Sequence, residues 1–161
     1  MANFTGADVI NAGDVSNYQA DIYDFGIASG TSEVAFFITQ TTNDILRQLR
    51  VEWWPVYKTN IFTDITVLNT AEMVNTKVNL DQFERAGVYL FLGRFYLPAL
   101  TKFRPETEKD RFERMAEYYM SQYNIEWRMI LEDGVEYDVD SSGTIVANER
   151  EPLHGFRRLT R

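Results

Sequence analysis

The sequence predicts a mainly α fold: a helical bundle built on an antiparallel helical hairpin, followed by a C-terminal β-hairpin and an extended tail. Between Asn79 and Leu131, apolar residues recur every three or four positions in two runs, which is the spacing of one face of a helix. A proline-marked turn at Phe103–Thr107 separates the runs, because a residue before proline is pushed out of helical space. The chain has 161 residues, 45% of them apolar, so we expect a single domain over 1–161.

The N-terminal part holds one clear helix. Residues 1–30 are rich in Gly, Asn, Asp and Ser, and this composition predicts a loop region. Thr31 or Ser32 then caps a helix whose apolar residues keep helical spacing as far as Trp53. Pro55 is expected to end that helix.

The helical bundle is predicted to cover residues 31–131, and its weakest part is the connection 56–78. Apolar and polar residues alternate only weakly in this connection, so we expect an extended segment, a short strand or a surface loop. Residues 69–72 can start one helical turn. The first helix of the hairpin should open at Asn79, a good N-cap, with Gln82 placed to complete a capping box. Pro98 near its end should kink or weaken it.

The C-terminal part is predicted to be a β-hairpin over 132–149 and a basic docking tail over 150–161. Val135–Val139 and Thr144–Ala147 alternate around an Asp-, Ser- and Gly-rich turn, as hairpin strands do. The tail holds four arginines against one acid, about +3, whereas the remaining body is about −11. An acidic body argues against a surface that grips DNA or a membrane. The basic tail suggests an arm that docks on an acidic partner, and the alternative is a solvated terminus.

One stretch of the predicted β-hairpin matches a calcium-binding pattern. Residues 138–149 fit the spacing of an EF-hand loop, in which oxygen ligands surround the cation at a sharp turn, and Gly143 permits that turn. The candidate Ca²⁺ ligands are Asp138, Asp140, Ser142, Thr144 and Glu149. The helices that flank an EF-hand are not predicted here. Two interpretations therefore stay open: a calcium site on non-helical flanks, or an ordinary hairpin turn.

Catalytic signatures are missing from the sequence. His154 is the only histidine and cysteine is absent, so neither a Ser-His-Asp triad nor a multi-histidine metal site can be built. No glycine-rich phosphate loop precedes a helix. We therefore expect no enzyme activity, and no cofactor unless calcium occupies the 138–149 loop. No stretch looks long and apolar enough to cross a bilayer, and no secretory signal is visible.

Aromatic residues are more numerous than one apolar stripe per helix requires. The first helix of the hairpin is apolar nearly all round, so it should be covered on more than one face. Tyr and Trp favour interfaces. We expect core packing for most of the aromatic residues and contacts between subunits for the surplus. The candidates for the subunit interface are Trp53, Trp54, Tyr89, Tyr96 and Tyr118.

The second half of the chain contains a series of residues that is similar to a known family. The series comprises Tyr89, Phe91–Pro98, Leu100, Phe112, Tyr118, Tyr119, Tyr123, Glu126, Gly134, Tyr137, Asp138, Asp140, Gly143–Ile145, Glu149, Arg157–Leu159 and Arg161. Together these residues resemble the head–tail connector proteins of tailed bacteriophages, also called adaptor or head-completion proteins. The likeness covers about Asn79 to Arg161 and contains no catalytic motif.

The resemblance implies a helical-bundle subunit in a closed ring, often of about twelve copies, stacked beneath the portal of a virion. In the family a terminal arm commonly reaches into the portal protein, and the rest receives the tail or the next neck protein. On this chain the docking tail would comprise Phe156, Arg157, Arg158, Leu159 and Arg161. An acidic body suits a channel wall that genomic DNA slides past without specific binding. The implied location is the virion neck, after synthesis in the host bacterial cytoplasm, with no membrane partner.

Overall fold

The computed structural model describes residues 7–101, 111–146 and 149–151, and within these ranges the protein is mainly helical. The predicted fold class is therefore confirmed. The α-helices are α1 (Ala12–Tyr18), α2 (Ser32–Glu52), α3 (Trp54–Ile61), α4 (Ile65–Thr70), α5 (Glu84–Leu90), α6 (Leu97–Leu100) and α7 (Arg111–Asp133). Short 3₁₀ turns lie at Ile22–Phe25, Asn75–Lys77 and Leu80–Phe83, and a π-helix spans Phe91–Tyr96. Among the described residues, no helix has both the length and the apolarity needed to cross a membrane.

The chain forms two compact units, each assembled from separate stretches of sequence. Unit 1 comprises Met1–Ala7, Leu46–Gln82 and Arg128–Arg161. Unit 2 comprises Asp8–Ile45 and Phe83–Trp127. The expectation of one domain over 1–161 stays a prediction.

Unit 2 is built on an antiparallel pair of helical segments: α5, the π-helix and α6 run one way, and α7 runs the other. As the residue numbers on the first segment increase, the residue numbers of their contact partners on α7 decrease, which shows that the two segments are antiparallel. These pairs are Phe83 with Trp127 (ring centroids 5.9 Å apart), the ion pair Arg85–Glu126 (3.6 Å) and Tyr89 with Tyr119 (6.0 Å). This is the predicted helical hairpin, hereafter the helix pair. Its predicted turn at Phe103–Thr107 lies outside the described residues.

The close approach within the helix pair occurs at Gly93, in the π-helix. A Cβ atom at this position would lie 2.8 Å from Met120 Cγ and 2.9 Å from the Met120 backbone nitrogen, so only glycine fits without a shift. The Leu97 amide donates to the Leu92 carbonyl, five residues back, which is the π spacing. The helical path thus continues through Pro98 to the end of α6, with its irregularity placed in the turns before the proline.

The prediction of a loop over residues 1–30 is wrong for α1. Asn11 Oδ1 accepts hydrogen bonds from the amides of Gly13 (2.7 Å) and Asp14 (3.2 Å), and Asp14 Oδ2 accepts from the Asn11 amide (2.7 Å). This reciprocal arrangement is a capping box. The Asn, Gly and Asp residues that indicated a loop therefore begin a helix.

The prediction for residues 56–78 is also wrong, because this connection is mostly helical. Pro55 lies in the first turn of α3, where its missing N–H costs nothing, so it begins a second helix after ending the first. Asp64 Oδ1 accepts from the Thr66 amide at 2.8 Å and caps α4. Two short helices and a 3₁₀ turn thus replace the expected strand or surface loop.

The expected start of the helix pair is corrected as well. Helix α5 begins at Glu84, after the 3₁₀ turn that follows Asn79. Gln82 does not complete a capping box, because its Oε1 accepts from the Glu136 amide at 3.3 Å. Asn79 also bonds to Glu136: its amide donates to the Glu136 carbonyl (3.0 Å) and its Nδ2 donates to Oε2 (2.6 Å). Asn79 Oδ1 also accepts from the Asp81 amide at 3.3 Å, so Asn79 caps the 3₁₀ turn as predicted, and only the Gln82 half of the capping box is replaced by a long-range contact.

The C-terminal β-structure is smaller than the predicted hairpin and differently paired. Strand β1 (Val135–Glu136) pairs antiparallel with β2 (Arg150–Glu151), with Val135 opposite Glu151. The described part of Thr144–Ala147, up to Val146, is not a strand, so the predicted second strand is wrong. Tyr137 instead forms an isolated bridge with Val78, and the chain after it turns to the carboxylates described next.

Candidate metal site

Residues 138–149, hereafter the carboxylate loop, bring three acidic side chains together in unit 1. One carboxylate oxygen from each of Asp138, Asp140 and Glu149 lies within 4.8 Å of the other two. Asp138 and Glu149 are buried, and Asp140 is exposed. The antiparallel pairing of β1 with β2 positions the two ends of the loop side by side, which places Glu149 next to the residues that begin it.

Glu149 organises the carboxylate loop from the inside. Its Oε1 accepts hydrogen bonds from the amides of Val139 (2.8 Å) and Asp140 (3.4 Å), and its Oε2 accepts from the Val146 amide (3.0 Å). Amides without a regular secondary-structure partner are thus satisfied by one buried carboxylate, which offsets the cost of burying its charge.

Asp138 performs the same function at the tip of the carboxylate loop. Its Oδ1 accepts from the Ser142 amide (3.0 Å) and its Oδ2 from the Gly143 amide (2.8 Å). Ser141 and Gly143 have φ values of 62° and 77°, so the tip turns through left-handed backbone, which glycine adopts readily. The sharp turn predicted at Gly143 is therefore present.

Asp140, Ser142 and Thr144 form the exposed side of the carboxylate loop. The Ser142 amide donates to Asp140 Oδ1 at 2.9 Å. Hydrogen bonds from the Ser142 side chain, and then from its backbone, lower the pKa of Asp140 below its ordinary value of 3.8. Ser142 Oγ lies 3.1 Å from Thr144 Oγ1. Asp140 is thus ionised at neutral pH and has no proton to donate as a general acid.

An aromatic cluster supports the residue just before the carboxylate loop. The ring of Tyr137 lies 5.7 Å from Trp53, 5.3 Å from Trp54 and 5.7 Å from Tyr57, measured between centroids. Tyr137 Oη accepts a hydrogen bond from the Val74 amide at 3.1 Å. Burial raises the pKa of Tyr137, and the bond from Val74 opposes that rise. Unit 1 therefore anchors the loop through packed rings as well as hydrogen bonds.

Lys77 is the residue at this site that the sequence did not point to. Its Nζ donates to the Val139 carbonyl at 2.6 Å, and its own carbonyl accepts from the Asp138 amide at 2.8 Å. The 3₁₀ turn Asn75–Lys77 delivers it to the carboxylate loop. No local pattern could have identified Lys77, because its partners are about sixty residues away in sequence.

The structure corrects three of the five predicted interface residues. Trp53, Trp54 and Tyr96 are buried inside the units that contain them, so they are not available to a second subunit. Tyr89 is half-buried, and Tyr118 is 59% exposed. The predicted docking residues Phe156–Leu159 and Arg161 lie outside the described residues.

The donor set of the carboxylate loop matches what a hard cation requires. Calcium takes six to eight oxygen ligands, among them carboxylates and backbone carbonyls, and the loop gathers three carboxylates. Each carboxylate oxygen has two lone pairs, so an oxygen that accepts one amide proton retains capacity for a cation. Asp138, Asp140 and Glu149 are the residues that could hold such an ion.

No protein-family model, curated protein or solved structure matches the chain. The function is therefore inferred from the residues, from the geometry within each unit and from the resemblance to head–tail connector proteins.

Proposed function

We propose that the protein is a structural subunit of the neck of a tailed bacteriophage, where copies form a ring between portal and tail and line the DNA channel. The role is non-catalytic. The observation that supports it best is the helix pair, whose second helix leaves large apolar side chains in solvent. On α7, Tyr118 is 59% and Ile125 is 51% exposed. Exposed apolar groups on one face are typical of surfaces that other chains cover.

Charge supports the same role. The net charge is −8, and the acidic residues lie almost entirely outside the arginine-rich end. A negatively charged wall repels DNA phosphates, so the genome could pass through the ring without specific binding. The partners of such a subunit are further copies of itself, the portal protein, and the tail or the next neck protein. Its place is the virion neck, reached after synthesis in the host cytoplasm.

The proposal assigns portal docking to residues 156–161. Its test compares the full chain with a chain that ends at Gly155, using the portal protein encoded in the same genome. We expect the shortened chain to keep its circular dichroism spectrum and melting temperature but to lose binding to the portal, because the cationic arm is gone.

A charge-matched pair of variants refines this test. One variant carries Arg157→Gln, Arg158→Gln and Arg161→Gln, and the control carries Arg47→Gln, Lys58→Gln and Arg128→Gln, which alters net charge equally. We expect only the first to weaken portal binding. A shortened chain that still assembles on the portal would refute the docking assignment, and a full chain that never binds a portal would refute the proposed function.

A second candidate function, calcium binding by the carboxylate loop, is favoured by the convergence of Asp138, Asp140 and Glu149. Calorimetric titration with calcium should give heat that Asp140→Asn removes, while Asp24→Asn, another exposed carboxylate, leaves it unchanged. Because Asp140 is exposed, we expect Asp140→Asn to leave the protein folded, so that a loss of heat reports on calcium binding. No heat at millimolar calcium would exclude this function. The two functions are compatible, since a bound ion could brace the loop of a ring subunit.

A further inference from the structure

Beside the face that it buries, helix α7 has a second face that is apolar at four of its five positions. The buried face is made of Ala116, Tyr119, Tyr123, Trp127 and Ile130. The second series, hereafter the outer face, is made of Met115, Tyr118, Gln122, Ile125 and Met129. Tyr118, Ile125 and Met129 are 59%, 51% and 49% exposed, and the other two members are half-buried. The apolar arc of α7 is thus wider than the part covered by the described residues.

The spacing of the outer face indicates what kind of partner fits it. Its members follow one another at intervals of three, four, three and four residues, which is the heptad pattern of a helix that packs along another helix. Single exposed apolar residues are ordinary on a protein surface, but a regular seam about 21 Å long is not. The partner predicted by this pattern is another α-helix.

Charges at the edge of the outer face identify that helix. Arg114 and Glu132 are both exposed, and they are eighteen residues apart, which is five turns, so they lie on the same side of α7. An antiparallel pair of identical helices can therefore be aligned so that Arg114 of each copy lies beside Glu132 of the other copy. A parallel pair in register would set each residue level with its own counterpart, so Arg114 would meet no acidic partner at its level.

An antiparallel register one residue away also pairs the residues of the outer face. In that register Tyr118 lies opposite Met129 of the other copy, and a thioether beside an aromatic ring is a favourable contact. Arg114 then lies within one residue of the level of Glu132 of the other copy. Gln122 then comes opposite Ile125 of the other copy. Charge and shape thus agree on the antiparallel direction, and their registers agree to within one residue.

We propose that the outer face of α7 binds the same face of a second copy as an antiparallel, two-fold symmetric pair. This inference goes beyond the proposed function, because it concerns the free protein. A cyclic ring uses two different faces of each subunit, whereas a two-fold pair uses one face twice. The pair therefore has to open before a ring can close. Its existence does not depend on portal binding, so the two proposals can fail separately.

The first test is the mass of the full chain in solution, measured by sedimentation velocity from about 1 µM to about 1 mM, a range that covers weak association. A short helical seam lies at the small end of interface sizes, so we expect a dimer that dissociates on dilution. Ile125→Asp should give a monomer throughout the range. Its control is Phe36→Asp on α2, where Phe36 is 58% exposed, and this variant should still dimerise.

The second test is a charge swap that distinguishes the proposed register from general stickiness. Arg114→Glu and Glu132→Arg should each raise the dimer dissociation constant by about tenfold, because each replaces two attractive pairs with two repulsive pairs. The double variant R114E/E132R should restore the original constant, and Arg47→Glu on α2 should change it little.

Three results would contradict the proposed dimer. A chain that is monomeric at every concentration, or that closes into a ring without passing through a dimer, would overturn the pairing. A double variant that dimerises no better than the single variants would overturn the register. Loss of the dimer in Phe36→Asp but not in Ile125→Asp would place the contact elsewhere.

Discussion

The helix pair of unit 2 and the carboxylate loop of unit 1 are ordered by opposite means. In the helix pair, apolar side chains at repeating positions are buried: Phe83, Leu90 and Phe91 are almost completely inaccessible. In the carboxylate loop, the buried side chains of Asp138 and Glu149 accept hydrogen bonds from backbone amides of a segment with almost no regular secondary structure. Apolar periodicity can order a long segment, whereas the buried backbone groups of an irregular segment need hydrogen-bond partners from outside regular secondary structure. Asp138 and Glu149 supply these partners here.

The two regions also differ in what a single substitution should cost. The helix pair distributes its stability over many contacts, each individually small. The carboxylate loop depends on a few groups, and each group satisfies several partners. The predictions below test this difference.

The largest expected effect is removal of the aromatic support of the carboxylate loop. Trp53 is completely buried, and its ring stacks on Tyr57 at 4.3 Å between centroids. Trp53→Ala should lower the free energy of unfolding by about 3–5 kcal/mol, because it leaves a large cavity. Urea unfolding followed by circular dichroism measures it. Tyr118→Ala, at an exposed position, should change the value by less than about 0.5 kcal/mol.

The next effect tests the carboxylate loop itself. Glu149→Gln keeps the shape of the side chain but removes the charge that three amides share, so we expect a loss of about 2–3 kcal/mol. The matched control is Glu72→Gln, at an exposed position. Equal losses in the two variants would show that the buried carboxylate does not organise the loop.

A third substitution tests the close contact in the helix pair. Gly93→Ala should cost about 1–2 kcal/mol, because the new Cβ meets the Met120 backbone, although alanine favours the helix. Gly87→Ala should cost less, since its Cβ would meet side-chain atoms of Val9 and Ile10, which can move. Gly30→Ala meets nothing within 4 Å and is the control. The melting temperatures of the three variants rank these costs. If Gly93→Ala lowered the melting temperature least, the close contact with Met120 would be contradicted.

The smallest effect is a pH dependence at the exposed side of the carboxylate loop. Hydrogen bonds from Ser142 lower the pKa of Asp140 below 3.8 in the folded protein. Asp140 therefore stabilises the fold above that ordinary value, and this contribution is lost as the pH falls through the lowered pKa. An NMR titration of the Asp140 carboxyl carbon should give a midpoint below 3.8, and Ser142→Ala should move it upward. A midpoint that Ser142→Ala leaves unchanged would contradict the assigned cause.

The sequence predicted the long elements better than the short ones, for a physical reason. Helices α2 and α7 repeat their apolar residues over many turns, so a few residues that break the spacing do not hide the helical pattern. Helix α1 was missed although Asn11 and Asp14 form a capping pattern, because it buries only Val15. Helix α4 buries none of its residues, so it left no apolar stripe to detect.

The carboxylate loop was half predictable. The EF-hand spacing of Asp138, Asp140 and Glu149 indicated that their carboxylates converge around a sharp turn. The pairing of β1 with Arg150–Glu151, the bonds of Asn79 and Gln82 to Glu136, and the position of Lys77 were not predictable. These contacts join residues far apart in sequence, and no local preference encodes them.

The central claim is that copies of this chain assemble as a ring on a viral portal. Its most direct test is electron cryo-microscopy of the portal protein from the same genome, alone and after mixing with an excess of the full chain. The account predicts an added ring of helical subunits at one end of the portal, with a closed cyclic symmetry. Portal particles that gain no density, while the chain stays folded in the surrounding solution, would contradict it.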